Sequence, residues 1–117
     1  MTGFVHHVEE LAERNASFYR VLFTGRDLHF AVMCIGPDDE TVAEAGPDRD
    51  EFFGVQEGSG EVWIEGQTTR IESGYAVLVP AGVRHVIRNT GSEPLKLFAL
   101  YGPAADGGGA ARKREQS

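Results

Sequence analysis

Residues 74–89 read GYAVLVPAGVRHVIRN, from Gly74 to Asn89, and each fixed residue type in this stretch has a separate physical role. Gly74 permits a tight turn into the apolar strand of residues 75–79. Pro80 and Gly82 then turn the chain, because proline has no amide donor for a continuing ladder and glycine reaches backbone angles closed to other residues. His85 opens the next strand. Side chains alternate between the faces of a pleated strand, so His85, Ile87 and Asn89 share one face while Val86 and Arg88 take the other. One face of that strand therefore carries an imidazole.

Outward from this stretch the same alternation of strand and turn recurs. Apolar or alternating runs at residues 18–23, 28–35, 51–56, 61–65, 68–71, 75–79, 85–88 and 95–101 predict eight short strands. Turn chemistry separates them at Gly25, Gly36-Pro37, Gly58-Ser59-Gly60, Glu65-Gly66, Ser73-Gly74 and Gly91. Strands at this spacing imply an all-β sandwich or barrel. Residues 8–14 (VEELAER) predict one short surface helix, with Val8, Leu11 and Ala12 as a narrow apolar stripe. The expected layout is an arm over residues 1–25 holding the helix and the first strand, a barrel over 26–104, and a disordered tail over 105–117. In that tail, DGGGAARKREQS has no apolar periodicity, and Arg112, Lys113 and Arg114 read as solvated charges.

Composition narrows the function classes. At 117 residues, 41% hydrophobic and 25% charged, the chain suits one globular domain. Its net charge of -7 leaves no basic stripe to neutralise phosphates, which argues against nucleic acid and anionic membranes as partners. A small neutral, cationic or metal-bound ligand fits better. The lone Cys34 excludes an internal disulfide and a thiolate zinc site, and suits a reducing compartment. No apolar run approaches the ~20 residues that cross a bilayer, and the first residues lack the cationic start and apolar core of a secretory signal. A soluble cytoplasmic protein is expected.

The run 28–35 (LHFAVMCI) is apolar on both faces except for His29, so both faces need cover. A single-layer barrel of this length has little to cover the outer one. A homodimer is the expectation that follows, since two-fold dimers are the commonest oligomers.

The stretch that opened this reading matches the pattern G-x5-P-x-G-x2-H-x3-N at Gly74, Pro80, Gly82, His85 and Asn89, which resembles the second signature of the cupin superfamily. Residues 19–25 (YRVLFTG), 47–53 (PDRDEFF) and 94–97 (PLKL) are similar to strings in small single-domain cupin-2 conserved barrel proteins. The resemblance implies a double-stranded β-helix, a jelly-roll barrel, whose mouth holds a divalent metal on two histidines and a glutamate from a first signature and one histidine from the second. Here that first signature is degenerate. It places its glutamate on Glu51 and its two histidines on Glu44 and Gly46, so both imidazoles are gone. What the resemblance leaves is Glu44, Glu51 and His85, a two-carboxylate, one-histidine set suited to a hard ion, where a transition ion wants about three fixed protein ligands. The cofactor expectation is accordingly none, or a weakly held divalent metal (Mn, Fe, Ni or Zn).

With His85 and Glu51 facing inward, alternation puts Phe53 and Val55 beside Glu51, and Ile87 and Asn89 beside His85. Leu95, Leu97, Ala99 and Tyr101 then face in, and Lys96, Phe52 and Trp63 face out. The expected pocket is His29, Met33, Phe53, Ile87, Asn89 and Tyr101, apolar with polar groups at one end, and plain core packing is the competing role of its apolar members. No serine lies in a nucleophile elbow and no glycine loop carries the lysine of a phosphate loop. Chemistry falls to His85 with Glu51, since an imidazole beside a carboxylate can act as general acid or base. Two functions stay open: a small-molecule-binding protein with a degenerate metal site, or a metal-dependent enzyme of dioxygenase or isomerase type using Glu44, Glu51 and His85.

Overall fold

In the computed structural model the described residues are 3–43 and 48–102. They form one helix, α1 (Val8–Arg14), and strands β1 (Tyr19–Thr24), β2 (His29–Ile35), β3 (Asp50–Glu57), β4 (Ser59–Ile64), β5 (Gln67–Glu72), β6 (Ala76–Val79), β7 (His85–Arg88) and β8 (Leu95–Gly102). The strands build two antiparallel sheets that face each other, one of order β1-β2-β8-β3-β6 and one of order β5-β4-β7. This is the double-stranded β-helix. Residues beside Thr41 extend the smaller sheet through the Glu40–Arg88 bridge.

Local chemistry accounts for most boundaries. Gly74 and Gly82 adopt φ of 93° and 82°, as the turns around β6 require. Glu65 and Gly66 both have positive φ, which makes the two-residue β4–β5 connection a tight hairpin of the kind that matches strand twist. Gly58 alone makes the turn before β4. Ser59 and Gly60 therefore belong to that strand rather than to the separator the sequence suggested.

Alternation holds along the inner faces. On β8, Leu95, Leu97, Ala99 and Tyr101 are buried and the residues between them are only half-buried. With Met33, Ile35, Phe53, Val55, Val62, Ile71, Val77, Val79 and Ile87 they pack as one core between the sheets. Burial of these side chains contributes about 1.5–3 kcal/mol each before ordering costs.

The outer face of β2 is covered differently from expectation. Phe30 and Val32 are buried, and the cover comes from the chain itself: α1 lies against β2, β3 and β8, and Phe4 packs edge-on to Phe30 at 5.6 Å. The face that motivated a partner subunit thus has an intrachain partner. The arm is anchored by polar contacts as well. Lys96, expected in solvent, reaches back to the Glu13 carbonyl near the end of α1, where helix carbonyls lack internal partners. His7 caps the other end by accepting from the Glu10 amide at 3.2 Å. Residues 105–117 lie outside the described residues, as does Glu44.

Candidate functional site

Register, rather than any single motif, assembles the polar end of the barrel. Across the large sheet, Val79, Glu51, Tyr101, His29 and Thr24 are successive cross-strand partners on β6, β3, β8, β2 and β1. Cross-strand partners share a face, so Glu51, Tyr101 and His29 form one inward row. His85, at the start of β7 in the facing sheet, closes the gap. Its Nε2 lies 3.7 Å from Glu51 Oε1, and the two side chains are only 8% and 4% exposed. Its ring also sits against Phe53 at 5.7 Å, and Nδ1 lies 3.5 Å from the Val83 carbonyl.

Two residues that sequence reasoning did not place join this row. Arg49 is buried, with its guanidinium 5.1 Å from the Tyr101 ring centroid, a cation–π arrangement. Tyr19, on β1, stacks on the same ring at 6.3 Å. The partners of Tyr19 and Tyr101 along their strands are separated by a row holding Ala31 and Ala99, both fully buried, whose small side chains leave the two rings room to meet. The signal for Arg49 was available, since it stands two residues before Glu51 and shares its face if the strand extends backwards. Nothing local marked Tyr19.

The electrostatics of the row are legible at Tyr19. Burial pushes its phenol above the ordinary value of 10.0, Tyr101 and the Arg49 charge pull it back, and the Glu51 charge adds to the rise. Tyr101 is close enough to act on Tyr19, but not at a geometry that satisfies it: the Tyr19 hydroxyl and His29 Nε2 are both shut off from water with no hydrogen-bond partner among the described residues. Such orphaned groups are uncommon, because each costs about 1–3 kcal/mol.

The expected pocket divides in two. His29, Phe53 and Tyr101 lie at this end with Glu51 and His85. Met33 and Ile87 are fully buried members of the packed core, and Asn89 stands at the opposite end of β7 with its side chain committed. Its amide donates to the Ile35 and Glu93 carbonyls at 2.8 Å each, and its oxygen accepts from the Gly91 amide at 2.8 Å. Asn89 is thus a structural staple. The described cavity nearest the pair, about 270 Å³, opens beside Glu51 and is bordered by Asp50, Leu78, Val79 and Pro80.

As a metal centre the described residues fall short. Glu51 and His85 meet, but no group of three histidine, cysteine or carboxylate side chains among the described residues can hold an ion. Two donors do not fix a divalent transition metal.

The fold and the His85–Glu51 end define a cupin-type barrel, and comparison with known proteins agrees. Residues 31–101 match the cupin domain family, more than half of the chain, and the chain belongs to that family. A crystal structure from Bacillus halodurans superposes with a TM-score of 0.88 at 34% identity, covering 95% of this chain and 89% of that one. Among curated proteins, the uncharacterized YrkC of Bacillus subtilis is 29% identical over 106 residues, 86% of this chain and 57% of that protein. An uncharacterized Aquifex aeolicus protein is 37% identical over 60 residues, 51% of this chain and 49% of its own. The chain spans about half the length of these curated relatives. A predicted oxalate decarboxylase from Thermotoga maritima shares the fold alone, at TM-score 0.64 and 23% identity over 68% of this chain and 69% of that one.

Among the described residues, no helix is long and apolar enough to cross a membrane.

Proposed function

We propose that this cupin binds a small molecule at the barrel mouth, with Glu51 and His85 contacting its polar end, and holds no resident metal. The observation that carries the reading is the carboxylate–imidazole pair at 3.7 Å, drawn from facing sheets and buried together where plain packing would favour apolar side chains. Such a pair supplies a proton acceptor and donor next to a bound ligand, a capacity that serves isomerisation or lyase chemistry without a metal. A metal-dependent dioxygenase or isomerase needs a third ligand, which Glu44 would have to provide.

Elemental analysis of protein purified without chelator or affinity metal separates the two. The expected result is no stoichiometric metal, together with thermal stabilisation by some member of a panel of small metabolites, worth about 2.7 kcal/mol at a hundredfold excess over Kd. His85→Ala is expected to abolish that stabilisation. Metal at about one equivalent per chain, lost in His85→Ala, would overturn the metal-free reading.

A further inference from the structure

Tyr101 divides the inward row of the large sheet, with Glu51 on one side of it facing His85 and His29 on the other. Tyr19, His29 and Arg49 converge on the Tyr101 ring from three different parts of the chain, at 6.3, 5.9 and 5.1 Å, and make up a wall of the mouth. Two of these three end in polar atoms that are closed to bulk water and have no protein partner among the described residues, the Tyr19 hydroxyl and His29 Nε2. Buried polar groups without a protein partner are few in folded proteins, and a bound water, ion or ligand is among the reasons they are kept.

The polarity of that wall can be read. The Thr24 hydroxyl lies 3.5 Å from His29 Nδ1, and a hydroxyl donating there leaves Nε2 as the protonated nitrogen. Tyr19 is held neutral, as the upward push on its phenol by burial shows, so it offers an O–H. Arg49 offers N–H groups and a permanent charge. At the Tyr19 hydroxyl the Arg49 charge acts more strongly than that of Glu51. With Thr24 donating to Nδ1, all three groups are donors gathered around the Tyr101 ring.

We propose that Tyr19, His29 and Arg49 form an anion-accepting wall that takes the carboxylate of a small monocarboxylic acid, leaving the rest of that molecule against Glu51 and His85. The inference rests on the mouth being the binding site and names its ligand class. A monoanion fits better than a phosphate dianion, because the charges of the single Arg49 guanidinium and of the Glu51 carboxylate both act at the Tyr19 hydroxyl, and a second negative charge would go uncompensated.

The test is isothermal titration of the full chain with acetate, pyruvate and benzoate, with acetamide and benzamide as neutral isosteres and inorganic phosphate as the rival oxyanion. At least one carboxylate is expected to bind saturably and tenfold or more tighter than its amide or than phosphate. Tyr19→Phe and His29→Leu, each checked for an unchanged melting profile, are expected to erase the carboxylate-over-amide preference, a readout that a merely structural role would not move. Should either variant unfold, His29→Gln, which keeps a donor, is expected to retain the preference. Absence of binding by all three carboxylates, equal binding of the amides, tighter binding of phosphate, or a preference that survives both substitutions would each overturn the proposal. If instead a neutral ligand binds, is lost in His85→Ala and is untouched by Tyr19→Phe and His29→Leu, the mouth remains the site and only the anionic class fails.

Discussion

The two ends of this barrel both bury polar side chains, and they use them in opposite ways. At the closed end, Asn89 is wholly inaccessible, and every hydrogen-bonding group of its side chain meets backbone. Nearby, Thr41 accepts from the Ile87 amide at 3.0 Å. A Cβ on Gly60 would stand 2.3 Å from the Arg88 carbonyl oxygen, so backbone packs against backbone there. At the mouth, Glu51 and His85 stand 3.7 Å apart, longer than a hydrogen bond, and the Tyr19 hydroxyl and His29 Nε2 have no described partner. One end spends its polar groups on holding loops together. On the reading proposed above, the other turns polar groups toward a ligand. Satisfied polar networks give stability and a unique geometry, whereas unsatisfied ones are retained where function requires them.

The difference can be broken most directly by Asn89→Ala. Removing three short bonds leaves two carbonyls and an amide unsatisfied, and a loss of about 3 kcal/mol is expected in urea unfolding. Ligand binding in the surviving folded protein should be unchanged. A loss under about 1 kcal/mol would show that the closed end is not the stabilising one.

Glu51→Gln sharpens the other half of the comparison. It keeps shape and hydrogen-bonding capacity while removing the charge, so the loss of stability is expected to be smaller than in Asn89→Ala while ligand-induced stabilisation disappears. A collapse as large as that of Asn89→Ala would make Glu51 a structural residue.

The smallest effect is on pH dependence. Because the folded phenol of Tyr19 titrates above its ordinary value of 10.0, both states are protonated below that pH and the contribution is fully present there. As pH rises further, the unfolded chain releases its proton first, so this stability is lost on the way up to the folded value. Ultraviolet titration should show a late-ionising tyrosine that Tyr19→Phe removes, together with part of the stability loss above pH 10. An unchanged late phase in Tyr19→Phe would place the perturbed phenol elsewhere.

Much of the fold was open to reading because its signals are local. Pro80 and the glycines at 74 and 82 act on their own backbone, and inward alternation on β8 follows from strand geometry once Lys96 is placed outside. Lys96 did lie outward, and its contact with the helix end was not legible because the position of α1 is not a local property. The same limit explains the outer face of β2. Its apolar pattern correctly demanded cover, but pattern cannot say whether cover comes from another subunit or from Phe4 and α1. Asn89 was placed on the correct face but assigned to the pocket, whereas its side chain bonds backbone, because a shared face does not reveal which end of a strand stays open.

By itself, then, the amino-acid order determined eight strands, their inward faces and the presence of one imidazole and one carboxylate among inward residues, since turn formation and pleat alternation depend only on neighbours along the chain. Tertiary structure alone decided that β8 lies between β2 and β3. That order sets Tyr101 between His29 and Glu51 and draws in Tyr19 and Arg49, because strand order and register arise from contacts between distant segments, which no local stretch encodes.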